Sequence, residues 1–158
     1  MGLVIRQLGK SDCGVVREIL VASTAFSEEE VCVAMEIVAE GIEGGLDGPY
    51  PAFGAEIDGR LCGYACVGQT PLTVSTWHLY WICVHPEFQG RGAGRALQSE
   101  LERFIRSRGG KRIVIETSGR GSYSRTWRFY EAGGFRNCGR IPDYYRPSDD
   151  CLFYYKEI

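Results

Sequence analysis

The residues best suited to chemistry are concentrated at 84–97, VHPEFQGRGAGRAL. A β-branched run ends there, and Gly90, Gly92 and Gly94 follow in alternation. A helical period then begins at once. Such a turn leaves backbone N–H groups free, and a helix N-terminus adds about half a positive charge. Together they make a cradle for a phosphate. Glycine suits the place because a β-carbon would block an oxyanion and because some positions need positive φ. Arg91 and Arg95 add charge. The pattern is not a P-loop, since no Lys-Ser/Thr pair follows. It is not the dinucleotide fingerprint either, because Arg95 stands where the third glycine belongs. A glycine-rich turn without a ligand is the plain alternative.

Charge supports an anionic ligand. The chain of 158 residues has net charge −2, which by itself excludes a general nucleic-acid binder, but the charge is unevenly placed. Residues 1–79 carry 4 basic and 11 acidic side chains, whereas residues 89–140 carry 12 basic and 4 acidic. A basic half in an acidic chain points to an anion bound there. Arg outnumbers Lys 15 to 3, and Arg is the better phosphate ligand. The seven cysteines are odd in number and none is in C-x-x-C spacing. With only His78 and His85 beside them, no metal site is expected. Free, mostly buried thiols in a reducing compartment are expected. Cys62 and Cys66, four apart in a strand, are expected to share a face.

The elements that must position the turn follow from periodicity. Residues 2–8 read as a strand. Ser11 and Asp12 precede a helix through Val15, Val16, Ile19 and Leu20. Ser27 with Glu30 is a capping-box pair opening a helix through Val31, Ala34, Met35 and Val38, which ends near Gly41. Residues 41–51 read as a loop. PAFGAEID and RLCGYACVGQT flank the hairpin signal Asp58-Gly59. Strand 75–84 leads into a helix from about Gly92 to Arg108, stopped by Gly109-Gly110. KRIVIET is a strand and Ser122–Ala132 a helix. FRNCGRI and CLFYYKEI are two last strands joined by PDYYRPSDD. The order is mixed α/β, and the unit 75–117 is expected to cross over between parallel strands. The length fits one domain, residues 1–158. No run is long and apolar enough to span a bilayer, and no export signal opens the chain, so a cytoplasmic protein without a membrane partner is expected.

Gln89-Gly-Arg-Gly-Ala-Gly94 resembles the Q/R-x-x-G-x-G/A signature of the GNAT superfamily, the acetyl-CoA-dependent N-acetyltransferases. Val84-His-Pro, Phe129-Tyr-Glu-Ala-Gly-Gly-Phe135 and the element order along nearly the whole chain resemble it too. In more detail, LYWICVHPEFQGRGAG and DYYRPSDDCLFYYKEI resemble a bacterial branch of the superfamily. The resemblance implies a mostly antiparallel sheet with helices on both faces, splayed between the third and fourth long strands. It implies acetyl-CoA as co-substrate, its pyrophosphate on the amides of Gln89, Gly90, Arg91, Gly92, Ala93, Gly94 and Arg95. Its pantetheine would lie along Ile82, Cys83 and Val84, with Phe129 beside it and Ser118, Ser122 or Ser124 replacing an asparagine common in relatives. One of Arg120, Arg125 and Arg128 would meet the ribose 3′-phosphate.

For the chemistry, the resemblance makes Tyr130 the acid that protonates the leaving thiolate. Glu116, at the end of the strand after the signature helix, becomes the base, with His78 and Glu56 as rivals. His78 would share a side with Tyr80, Ile82 and Val84 by strand alternation. Transfer would be direct, a Cys83 acyl route being the lesser alternative. The acceptor, a primary amine of a small molecule or peptide, would lie between the first two helices, the 41–51 loop and PDYYRPSDD, with Tyr144, Tyr145 and Arg146 at its mouth. A homodimer stays open. The rival function is a non-catalytic acyl-CoA-binding regulatory module.

Overall fold

A computed structural model describes residues 2–158; Met1 of the expected 1–158 domain lies outside the described residues. Seven strands, β1 (Leu3–Gln7), β2 (Ala52–Ile57), β3 (Arg60–Gln69), β4 (Thr76–Val84), β5 (Arg112–Ser118), β6 (Arg136–Arg146) and β7 (Asp149–Glu157), form one sheet in the order β1-β2-β3-β4-β5-β7-β6. Every neighbouring pair is antiparallel except β4–β5. That parallel pair is the crossover expected for residues 75–117.

Four helices cover the sheet: α1 (Cys13–Ala22), α2 (Glu28–Gly44), α3 (Ala93–Ser107) and α4 (Ser124–Ala132). Two cores result. On one face, Val16, Ile19 and Leu20 of α1 and Val31, Ala34 and Val38 of α2 bury Tyr64, Cys66 and Cys83. On the other, Leu97, Leu101 and Ile105 of α3 pack with Tyr130 of α4 against Ala65, Val67, Ile113 and Ile115. Helix α2 is opened by the expected reciprocal cap: Ser27 N–H donates to Glu30 Oε2 (2.7 Å) and Glu30 N–H to Ser27 Oγ (3.2 Å). Asp58 and Gly59, both at positive φ, make the β2–β3 turn.

Four local expectations are corrected. Asp12 does not cap α1 with its side chain. Its carboxylate instead takes the Gly9 N–H (2.7 Å) and Arg6 Nη1 (2.7 Å). Helix α2 runs to Gly44, three residues past the expected stop, because Gly41 is where the helix presses on Tyr50: a β-carbon there would sit 2.2 Å from the Tyr50 carbonyl. Most of PDYYRPSDD is strand, with β6 reaching Arg146 and β7 starting at Asp149. Cys62 and Cys66 lie on opposite faces, one in each core, because the β2–β3 register shifts between Ala55 and Glu56 and makes Cys62 a bulge. No disulfide forms among the described residues, and four of the seven thiols are buried.

Candidate active site

The site begins where the sheet fails to close. Strands β4 and β5 pair only at Thr76–Arg112, Trp77–Ile113 and His78–Val114. Beyond His78 they separate, as expected of the third and fourth long strands. Leu79 and residues 81–84 are still paired with β3. Backbone N–H and C=O of one residue point to the same side of a strand, alternating along it. His85 N–H bonds to Cys62 O (2.8 Å) on the β3 side, so the peptide groups of Val84 and Ile82 face the gap and those of Cys83 face β3. Gln89 Nε2 donates to Val84 O (3.2 Å) and ties the glycine turn to the strand end.

A second bulge decides which side chains meet at the gap. Cys66 pairs with Trp81 and Val67 with Leu79, leaving Tyr80 unopposed. The alternation therefore flips. Trp77, Leu79, Ile82 and Val84 all pack on the α3 core, while Trp81 and Cys83 pack on the α1–α2 core. His78 stacks on Tyr80 at 4.6 Å and 18°, on the face opposite Ile82 and Val84. The shared side expected for 78, 80, 82 and 84 is thus corrected: a period of two cannot register an inserted residue.

A cleft of about 350 Å³ opens beside this edge, lined by Ile82, Cys83, Val84, Gln89, Gly90, Gly92, Ala93, Gly94, Arg95 and, on α4, Arg125, Thr126, Phe129 and Tyr130. Gly90 and Gly92 have φ of 78° and 88°, which only glycine adopts at little cost. Gly92 caps α3 without a side chain, and the first helical amide to find a carbonyl is that of Ala96, on Gly92 O (2.9 Å). The amides of 93–95 thus remain free donors at the positive end of α3. Gly94 lies against Phe129, where a β-carbon would stand 3.1 Å from the ring. Arg95 reaches across to Ala132 O (3.2 Å) and lies over Phe129, so the expected charge at the turn is in place. Arg91 is exposed and stacks on Phe88, outside the cleft lining.

Tyr130 is 7% exposed and packs on Phe129, Phe135 and Tyr154. Burial pushes its phenol above the usual range, so it keeps its proton at neutral pH. Cys83 lines the cleft, but its side chain packs with the α1–α2 core. Burial drives its thiol up to about 11, which leaves it protonated and a poor nucleophile.

The remaining expected residues sit elsewhere. Ser118 is buried and donates to Asp149 Oδ1, whose other oxygen holds Arg120 at 3.2 Å; Ser118 does not line the cleft. Glu56 is held by Arg6 (Nε to Oε1, 2.7 Å) at the β1–β2 side of the sheet. Glu116 is exposed on β5, two residues past the last β4–β5 pair, and is absent from the cleft lining. It lies on the His78 face, near enough to act electrostatically on His78, Tyr80 and Tyr145. Tyr50 meets Tyr80 edge-on at 5.4 Å there. Of the three arginines expected near a 3′-phosphate, only Arg125 lines the cleft. Thr126 and Phe88 also line it without having been expected. Thr126 stands one helical turn before Tyr130, a spacing that could have found it; the 3₁₀ turn that brings in Phe88 leaves no such pattern.

The residues present fit acetyl-CoA: free amides, an arginine, an open strand edge and a protonated tyrosine all border one cleft. Residues 16–135 match the acetyltransferase (GNAT) family model, and the chain belongs to that family. An N-alpha-acetyltransferase RimI from Mycobacterium tuberculosis is 37% identical over 98 residues, 60% of this chain and 58% of that protein, so the match spans less than two thirds of the relative's length. A crystal structure from Desulfovibrio desulfuricans, assigned to the GNAT family, superposes with a TM-score of 0.93 at 38% identity over 99% of both chains. A Salmonella typhimurium structure solved with its cofactor acetyl-CoA shares the fold, with a TM-score of 0.76 at 22% identity over 99% of this chain and 94% of the other. No helix among the described residues is long and apolar enough to cross a membrane, and no cluster of metal-ligating side chains occurs among them.

Proposed function

We propose that this chain, as one acetyltransferase domain over residues 1–158, moves an acetyl group from acetyl-CoA to a primary amine by direct transfer. The observation that carries the reading is the continuity of one surface. The unpaired β4 edge runs into a turn with free amides at the N-terminus of α3, and Tyr130 stands on the opposite wall.

When bound, acetyl-CoA supplies the activated acetyl group. The amides of the 89–95 turn and the N-terminus of α3 hold its pyrophosphate, with Arg95 and Arg125 adding positive charge. Ile82 and Val84 offer their gap-facing peptide groups to the pantetheine. Tyr130 directs its hydroxyl at the departing sulfur. Its raised proton affinity suits it to hydrogen-bond a thiolate rather than to surrender a proton outright, since an ordinary thiol is already the stronger acid, ~8.5 against ~10. The acceptor comes from the face of α1 and α2, where Glu116 offers a carboxylate to an ammonium group between Tyr80 and Tyr145. The likeness to an N-alpha-acetyltransferase supports a peptide α-amine as the first acceptor to try. The protein works in the cytoplasm, alone or as a homodimer.

The test is amine-dependent release of CoA thiol, followed with peptides bearing a free N-terminus and with small diamines. Turnover that requires both substrates supports the reading. Tight acetyl-CoA binding with no release on any amine favours the non-catalytic module.

A further inference from the structure

We propose that His78, set at the apex of the β4–β5 split beside Glu116, is the group that receives the proton of the acceptor amine. This inference rests on acetyl transfer to an amine and assigns the one step the cleft leaves open. An ammonium group must lose a proton before it can attack, and Tyr130, already protonated, cannot take it.

The placement follows from the strands. His78 is the last β4 residue paired to β5, and its partner is Val114. Glu116 is two residues further along β5 and therefore on the same face as Val114. His78 and Tyr80 share a face by ordinary strand alternation, and Tyr80 stacks on the imidazole and holds its orientation. Without the bulge, His78 would lie on the face of Ile82 and Val84, behind α3. The bulge thus puts His78, Tyr80 and Glu116 together on the face from which the acceptor comes.

The neighbours are few and their signs are clear. On β4 the ring faces Tyr80; Tyr50, just before β2, closes on Tyr80; on β5 stands Glu116; and Tyr145 of β6 and Cys151 of β7 lie beyond Glu116. Among the described residues, Glu116 is the charged group that acts on the imidazole. Burial lowers its proton affinity below the ordinary 6.5 and Glu116 partly restores it. The ring is neutral at pH 7 and ready to accept.

The step balances simply. One N–H bond of the ammonium breaks, its proton passes through a water to an imidazole nitrogen, and the resulting imidazolium releases it to solvent after turnover. The free amine then forms the C–N bond; as the C–S bond breaks, the second proton leaves the tetrahedral nitrogen and passes through water to the departing thiolate, which the Tyr130 hydroxyl hydrogen-bonds meanwhile. Glu116 is then a positioning residue: it attracts the ammonium and stabilises the imidazolium.

The experiment has two arms. The first is an NMR titration of the imidazole resonances in the full chain. There are two histidines, and His78→Gln identifies the signals. The His78 midpoint is expected below that of free imidazole and lower still in Glu116→Gln, because a stabilising negative charge has gone. A midpoint indifferent to Glu116→Gln overturns the pairing. The second arm is the pH dependence of kcat with acetyl-CoA and a hexapeptide bearing a free N-terminal alanine, or the best amine of the panel above. His78→Gln should lower kcat by about 10²–10⁴-fold and remove the acidic limb. Glu116→Gln should keep that limb and move it to lower pH. A limb that vanishes in Glu116→Gln and survives in His78→Gln makes Glu116 the base and overturns the proposal. Should His78→Gln not fold, the direction of the Glu116→Gln shift alone decides. If no amine supports turnover in the wild type, the acetyl-transfer reading falls and this step with it. That failure is distinct from a limb assigned to the wrong residue.

Discussion

Tyr130 and Gly92 both line the cleft, and each carries a prediction at the scale of one residue. A hydrogen bond to a charged partner is worth roughly 1.5–3 kcal/mol. Tyr130→Phe, which keeps the ring and its packing on Phe135 and Tyr154, should therefore lower kcat by about 10- to 100-fold and leave acetyl-CoA affinity nearly unchanged. Full kcat in the variant, with chemistry rate-limiting, would remove Tyr130 from the mechanism. Gly92→Glu brings a carboxylate to the amide cradle. The expected loss of acetyl-CoA affinity is more than tenfold, about 1.4 kcal/mol or more, measured by calorimetry. Gly92 sits at φ 88°, so circular dichroism must first show that the variant folds. The turn was legible in the sequence from its glycine spacing, and Tyr130 only through the resemblance that the Phe129–Phe135 segment carries. Ser118 was not, because its partner Asp149 is 31 residues away and joins it only through the β5–β7 pairing.

The elements act as carriers of charge and as wedges. Helices α3 and α4 bring Arg95 and Arg125 to the cleft, and both side chains are exposed. Screening of exposed charges shortens from a Debye length of ~8 Å at physiological salt. Acetyl-CoA binding should weaken steadily from low to high salt; a flat response would mean the arginines are a solvated face. On the other side of the sheet, Ser27→Ala removes half of the α2 cap and should cost about 1 kcal/mol in urea unfolding. The helices and strands were visible in the periodicity, most to within three residues, while β6 ran on to Arg146 through residues read as a connection. The two bulges were not. A single inserted residue reverses which side chains share a face, and it leaves no mark in composition. Those bulges moved Cys62 away from Cys66 and His78 away from Ile82, so the acceptor side was the part of the site the sequence concealed.

At the scale of the whole molecule, the Arg6–Asp12 ion pair and two buried thiols make stability depend on pH at both ends. Hydrogen bonds from Arg6 hold the Asp12 carboxyl below its ordinary 3.8. Its contribution is complete above that value and is lost as pH falls through the folded-state value, so stability should decline below about pH 4. Burial raises Cys66 to about 12 and Cys83 to about 11 from an ordinary 9. Their protonated forms favour the fold fully below pH 9. Above it the unfolded chain ionises first, and stability should fall by roughly 1.4 kcal/mol per pH unit for each thiol. Thermal unfolding scanned from pH 3 to 11 should show both declines. A plateau from pH 9 to 11 would mean these thiols are not buried in solution as they are here.

The central claim is that one continuous surface, from the 89–95 amides along the free β4 edge to Tyr130, receives acetyl-CoA. The most direct measurement is a crystal structure of the chain with acetyl-CoA bound. The account requires the pyrophosphate on the amides at the start of α3, the pantetheine on the peptide groups of Ile82 or Val84, and the sulfur within hydrogen-bonding reach of the Tyr130 hydroxyl. Density for acetyl-CoA anywhere outside the β4–β5 split, or a sulfur far from Tyr130 with the split empty, would contradict it.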